Sequence, residues 1–449
     1  MTIDVLPDVA LLKIFDFYVR EKRKAYANVH VEHIEAWRTL VHVCRNWRIV
    51  VFGSPHRLGL RLCCSNSTPV KEMLDVWPLL PIVIVSHDKK WGVDNIIAAL
   101  EHNDRICELY LFGSQMEKIF AAMQRPFPAL TRLCLYEIAL VVSPSFLGAS
   151  APRLRSLRSG NISFPGLPKL LLSATHLIRL DLRSIPHSGY ISPEAMVTAL
   201  SVLIRLERLD IEFESPQSHP DEKSRPPPTR TLLPVLTTLA IKGVSKYLED
   251  FVARIDAPLL DNLIITFFNQ LRFDTPQLTQ FIGRTPKLNA HDQADVVFSE
   301  DEVWVTLPQP FDGNLQLRIL CRPLDLRISS LAQICSLSFP QSLISAVEHL
   351  HIRILYLRSC WQDDIGNSQW LELLHPFTAV KSLYIDDYFS PRIVPALQEL
   401  VGERVTEVLP NLQNLFLNET RIKTCPGSIR QFVAARQLAG HSIAVSRHG

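Results

Sequence analysis

From residue 58 onward the aliphatic residues fall into a short recurring pattern, Leu-x-x-Leu-x-Leu or its equivalent. It stands at Ile106-Leu109-Leu111, Leu130-Leu133-Leu135, Leu177-Leu180-Leu182, Leu206-Leu209-Ile211, Leu236-Leu239-Ile241 and Leu260-Leu263-Ile265. It returns at Val347-Leu350-Ile352, Val380-Leu383-Ile385 and Leu412-Leu415-Leu417, and Leu154-Leu157 is a weaker copy. The last two positions alternate with period two, which predicts a short strand whose aliphatics face one side. Between these strands the spacing becomes helical. Residues 93–101 carry Val93, Ile96, Ile97 and Leu100, and residues 193–206 place Pro193 in the first turn before Met196, Val197 and Leu200. Residues 394–401 and 428–438 repeat the arrangement. The central leucines 109, 133, 157 and 180 are spaced 24, 24 and 23 residues, and later intervals run 29, 30, 24 and about 32. One strand and one helix cannot bury their own apolar face, so such repeats must stack. The predicted class is α/β: a curved parallel sheet inside and helices outside.

Two stretches depart from the period. Residues 295–320 place Val296-Val297-Phe298, a polar Ser-Glu-Asp-Glu and then Val303-Trp304-Val305, which reads as an inserted hairpin. Residues 215–230 hold five prolines and almost nothing apolar, so a disordered surface loop is expected there. The array itself is expected to begin with strands at 58–62 and 82–85, bridged by a short helix at 69–76.

The first 56 residues follow a different rule. On a helix, Leu40, Val43, Cys44 and Trp47 lie at i, i+3, i+4 and i+7 with Trp37 one turn earlier, while Arg38, His42, Arg45 and Arg48 take the opposite face. Upstream, Leu6-Pro7-Asp8 reads as a helix start, Pro7 fixing φ and Asp8 placing a carboxylate at the positive end. Leu11, Leu12, Ile14, Phe15 and Tyr18 follow as its apolar face. Between these helices, the polar segment 20–35 is expected to be an inserted loop or an extended helix.

The Leu6-Pro7 start, the helix face of Leu11, Leu12, Ile14 and Phe15, and the run Val43-Cys44-Arg45-x-Trp47-Arg48 resemble the F-box. That small helical module docks proteins onto the adaptor subunit of cullin-RING ubiquitin ligases. Pro7 and Trp47 stand 40 positions apart, wider than a typical F-box, with the excess in residues 20–35. The runs 6–15, 37–52, 69–84 and 95–111 are similar to the large F-box family of mushroom-forming fungi, and the later repeats resemble degenerate leucine-rich repeats. The resemblance implies an F-box-like domain at 1–56 and a leucine-rich-repeat-like solenoid at 57–449. It implies adaptor docking by Leu6, Pro7, Leu11, Leu12, Ile14, Phe15, Val43, Cys44, Trp47 and Val51. It also implies capture of a target protein by the array, the work of a substrate receptor in an SCF-type ubiquitin ligase. The alternative is a leucine-rich-repeat scaffold with no ligase role.

If the array captures a partner, strand alternation specifies where. With the motif leucines turned to the core, the intervening residues face the other side of the sheet: Tyr110, Phe112, Tyr136, Asp181, Arg183, Asp210, Glu212, Tyr384 and Asp386. Exposed aromatics and arginines are common binding anchors.

Charge and candidate chemistry narrow the picture. Net charge is +2 with no block of five or more like charges, which argues against nucleic acid as the main partner. The longest apolar run, residues 79–85, is far short of the ~20 residues that span a bilayer, and the N-terminus carries no secretory pattern. Nine scattered cysteines fit reduced thiols in a cytoplasmic or nuclear protein. His30 and His33 near Glu32 and Glu35 lack a second ligand cluster, and Asp363-Asp364 and Asp386-Asp387 read as solvated turns. The vicinal Cys63-Cys64 pair is expected to straddle the two faces of a strand. Neither a phosphate-cradling glycine loop nor a nucleophile elbow is present. The expectation is a chain with no catalytic residues, metal or cofactor. The acceptor sequons at Asn66, Asn161 and Asn418 are expected to stay bare.

Overall fold

A computed structural model describes residues 6–24, 35–86, 92–113, 116–216, 229–270, 273–289, 291–308, 313–321, 324–355, 366–386, 388–400, 402–417 and 426–447. The chain is mixed α/β and packs as two units, Met1–Ile191 and Ser192–Gly449, each built on a long, mostly parallel sheet.

In the first unit the leucine pattern becomes a ladder. Strands β1 (Leu62–Ser65), β2 (Ile82–Ser86), β3 (Ile106–Phe112), β4 (Arg132–Val141), β5 (Ser156–Ser163) and β6 (Arg179–Ile185) pair in chain order, all parallel. Their register aligns Cys64, Ile84, Leu109, Leu133, Leu157 and Leu180 in one row, and every member is fully buried. One backbone bond recurs where successive strands begin: Thr131 N–H to Cys107 O, Arg155 N–H to Thr131 O and Ile178 N–H to Arg155 O, each 2.8 Å. That repetition at 23- and 24-residue intervals leaves room for only short connecting helices, such as Val93–Leu100, Met116–Ala122 and Leu167–Ser173. The strand expected at 58–62 begins later. Pro55 opens a one-turn helix, Pro55–Leu58, which Gly59 ends in the left-handed conformation, so pairing starts at Leu62.

The N-terminal segment forms α1 (Asp8–Lys24), α2 (Trp37–Val41) and α3 (Arg45–Gly53). The single stripe expected over residues 37–52 is therefore two helices. Cys44 takes an extended conformation (φ −157°, ψ 170°) and caps α3, its Sγ accepting from Trp47 N–H. The break rotates Val43 outward. Two polar contacts fasten the segment to the sheet's first strand and the residue just before it: the Trp37 indole N–H donates to Arg61 O at 2.9 Å, and the Glu35 carboxylate accepts from Cys63 N–H at 2.8 Å. Trp37 is wholly buried, with Phe52 and Trp77 meeting it edge-on. Of the polar segment 20–35, residues 20–24 continue α1 and Glu35 anchors the next element; residues 25–34 lie outside the described residues.

The second unit orders its strands β7 (Arg208–Phe213), β9 (Thr238–Gly243), β11 (Asn262–Phe268), β14 (Asn314–Leu320), β13 (Glu302–Pro308), β12 (Gln293–Phe298), β15 (His349–Ile354), β16 (Ser382–Ile385), β17 (Asn414–Leu417) and β18 (Ala444–Arg447). A small parallel pair, β8 (Thr231–Leu232) with β10 (Ile255–Asp256), stands apart. Leu209, Leu239, Leu263 and Leu315 form one buried row, and Ala294, Leu350, Leu383 and Leu415 another.

The hairpin expected at 295–320 is present and joined by a third strand, so β12, β13 and β14 make an antiparallel meander spliced into the parallel array. Its two outer strands carry the array on in parallel, β14 beside β11 and β12 beside β15. Arg327, on the helix Leu324–Leu337, is 1% exposed and donates to the carbonyls of Ser299, Glu300 and Cys321. It thus holds the meander's turn and its exit. The helices expected at 193–206 and 394–401 appear as Pro193–Leu200 and Ser390–Gln398, and the last as Pro426–Leu438. Of the proline-rich stretch 215–230, residues 217–228 lie outside the described residues.

Candidate partner-binding surfaces

The N-terminal helices divide the residues expected to meet an adaptor into two sets. Leu11, Phe15 and Val51 are buried inside the module. Trp47 is half-buried against Phe15, with ring centroids 4.7 Å apart, and Cys44 is occupied as a helix cap. These five therefore shape the surface from beneath; the buried three do not reach a partner. Leu6, Pro7, Leu12, Ile14 and Val43 are accessible, with Ile14 50% and Val43 56% exposed. Val9, Phe17 and Ile49 are also exposed apolar residues, Phe17 at 68%. They were not legible as surface because a stripe rule assigns apolar helix residues to the interior.

The second candidate surface is the face of each sheet turned away from the leucine rows. Strict alternation of buried and half-buried residues along β7, β9 and β13 defines it. In the first unit three rows cross this face. The first reads Cys63, Val83, Glu108, Arg132, Ser156 and Arg179. The second reads Ser65, Val85, Tyr110, Cys134, Arg158 and Asp181. The third reads Phe112, Tyr136, Gly160 and Arg183. All five residues expected on this face of the first unit, Tyr110, Phe112, Tyr136, Asp181 and Arg183, are therefore brought together, but Tyr110 and Asp181 are buried within it, which leaves Phe112, Tyr136 and Arg183 accessible. Cys63, Val83, Val85, Tyr110 and Cys134 form a buried cluster, with Phe112 and Tyr136 packed on it. Those two rings lie parallel, centroids 5.8 Å apart. A side chain at 160 would start about 2.4 Å from the Tyr136 ring, so glycine there lets the ring lie across the sheet.

Two buried carboxylates organise the polar half of the face. Glu108 accepts from the Tyr110 hydroxyl at 2.8 Å and pairs with Arg61 and, at 3.5 Å, with Arg132. Asp181 pairs with Arg183 at 2.9 Å and stands 3.9 Å from Arg158. Burial, together with the Glu108 charge, pushes the Tyr110 hydroxyl up to about 12. Burial also raises the thiols of Cys64 to about 12 and of Cys107 and Cys134 to about 11, so these stay protonated and are poor nucleophiles. Cys63 and Cys64 do straddle the strand: Cys64 joins the leucine row and Cys63 the opposite face.

In the second unit Asp210 and Glu212 share β7, with Glu212 2.7 Å from Lys242 on the next strand. Tyr384 and Asp386 lie far along the same sheet on and just after β16, so this surface does not bring the four together. Tyr384 is the middle of a stack with His351 and Phe416, centroids 4.1 and 4.3 Å apart. His351 and Phe416 occupy the same row on neighbouring strands and were findable only with the register known. Asp386 accepts from Ile354 N–H, and Arg353 pairs with Asp295 at 3.2 Å.

Among the described residues no group of His, Cys, Asp and Glu is placed to hold a metal, and no helix is long and apolar enough to cross a membrane. His30, His33, Asp363 and Asp364 lie outside the described residues.

No protein-family model and no curated protein matches this chain. Among solved structures it is similar to the leucine-rich repeat-containing protein LegL7 from Legionella pneumophila. That likeness spans 76% of this chain and 92% of that one, at 12% identity and a TM-score of 0.25.

Proposed function

We propose that this chain is a non-catalytic substrate-recognition subunit of an SCF-type ubiquitin ligase. The N-terminal helices dock on the cullin-RING adaptor through Leu6, Pro7, Leu12, Ile14 and Val43, and the open sheet faces hold a target protein. Its contribution to ubiquitin transfer is proximity: a tethered target presents its lysines at high effective concentration. The observation that carries the reading is the exposed apolar set on α1 and around the α2–α3 break, beside a sheet whose ladder leaves Phe112 and Tyr136 partly exposed and Arg132, Arg158 and Arg183 open to water. The work is done in the cytoplasm or nucleus and uses no catalytic residue, metal or cofactor of the chain's own.

A second reading is favoured by one specific observation. The helical segment is fastened to β1 through Trp37 and Glu35, and Leu11, Phe15 and Val51 fill its own interior. That is also how an end cap of a repeat array is built, and a capped scaffold would bind partners without a ligase. Purified adaptor separates the two. A receptor binds it, and Ile14→Asp with Val43→Asp weakens that binding at least about tenfold without unfolding the chain; a scaffold does not bind it at all.

A further inference from the structure

On the open face of the first unit three arginines fall on a diagonal. Arg132 stands in the first row on β4, Arg158 in the second on β5 and Arg183 in the third on β6. Neighbouring strands are ~4.8 Å apart and two residues along a strand cover ~6.6 Å, so successive positions on this diagonal are roughly 8 Å apart. An extended peptide presents every second side chain on one side at about 7 Å. The three side chains are 53%, 42% and 47% exposed, whereas the carboxylates they pair with, Glu108 and Asp181, are almost wholly covered. Water therefore meets guanidinium here and not carboxylate. Along one side of the diagonal runs an apolar wall of Tyr136 and Phe112, packed on the buried Cys134, with Tyr136 laid over Gly160.

We propose that this diagonal seats an extended segment of a partner protein carrying Glu or Asp at alternate positions, with apolar residues meeting the Tyr136–Phe112 wall. Planar guanidinium groups pair with carboxylates through two parallel hydrogen bonds, which gives the site its preference. Glu108 and Asp181, paired with these arginines, weaken the field over the patch, so separate carboxylates suit it better than the continuous charge of a nucleic acid. This deepens the receptor reading and rests on its claim that the open face captures partners.

The test is fluorescence anisotropy of the full-length chain with a labelled peptide of about eight residues alternating Glu with Leu or Ser, a length that spans the diagonal. The comparison probes are the same peptide with Gln for Glu and an oligothymidylate of similar length. The Glu peptide is expected to bind about tenfold more tightly than the Gln peptide and to weaken with added salt. Arg158→Gln is expected to remove that preference, and Gly160→Ala, which displaces the Tyr136 ring, to weaken binding of both peptides. Equal affinity for the two peptides, indifference to Arg158→Gln, or tighter Arg158-dependent binding of the oligothymidylate would overturn the proposal. Adaptor affinity on the same preparation keeps the failures apart. Adaptor binding without peptide discrimination sinks only this inference, and discrimination without adaptor binding sinks only the ligase reading.

Discussion

Two tryptophans in the N-terminal helices make unequal contributions, although the sequence pattern treats them alike. Trp37 is wholly buried, donates to Arg61 O and anchors a cluster with Phe52 and Trp77, whereas Trp47 is half-buried against Phe15. Trp37→Ala is expected to cost roughly 3–5 kcal/mol and Trp47→Ala clearly less, as read by denaturant unfolding. Equal losses would contradict this packing. Glu35 offers a pH test on the same joint. Burial raises its carboxyl above the ordinary value, against the lowering effects of the Cys63 N–H bond and Arg38. In the window between the ordinary and the raised value the folded chain holds a proton that the unfolded chain has released. Its stabilising contribution is thus complete below that window and is lost as pH rises through the raised value. Glu35→Gln keeps an acceptor for Cys63 N–H and should flatten that part of the melting-temperature profile; an unchanged slope would rule Glu35 out as its source.

At the level of elements, caps and clamps cross from one repeat to the next. The Glu249 carboxylate, on the helix Ser245–Val252, accepts from Gln277 and Leu278 N–H at 2.8 Å each and so caps the following helix, Pro276–Arg284. Glu249→Ala should cost about 1–2 kcal/mol, seen as faster amide exchange over residues 276–284. Arg327 plays the larger part, since it satisfies three carbonyls around the meander. Arg327→Met should cost roughly 2–4 kcal/mol and release protection in β12–β14 first. The strand rows were legible because a Leu-x-x-Leu-x-Leu pattern fixes which side chains point inward, and the register then follows from stacking. The helix break at Cys44 was not legible, because local spacing alone cannot distinguish one continuous stripe from two shorter helices whose cap is an unusual residue. Nor was the meander's third strand, whose alternation at Leu315 and Leu317 is the same as that of any other repeat.

For the molecule as a whole, sequence reading and structure meet on the sheets and part on the helical segment. The residues expected on the open face of the first unit share one side of the sheet, though Tyr110 and Asp181 are buried there, and the register adds Arg132 and Arg158, which no motif singled out. Of the expected adaptor contacts, Leu11, Phe15 and Val51 are interior, because apolar periodicity marks burial without saying against what. The central claim is that the accessible remainder docks on a cullin-RING adaptor. The most direct measurement is the affinity of the full-length chain for purified adaptor by calorimetry, beside the Ile14→Asp and Val43→Asp double variant. The account expects submicromolar binding that falls at least about tenfold in a variant whose melting temperature is unchanged, a difference of about 1.4 kcal/mol or more. A folded full-length chain that does not bind the adaptor would contradict it.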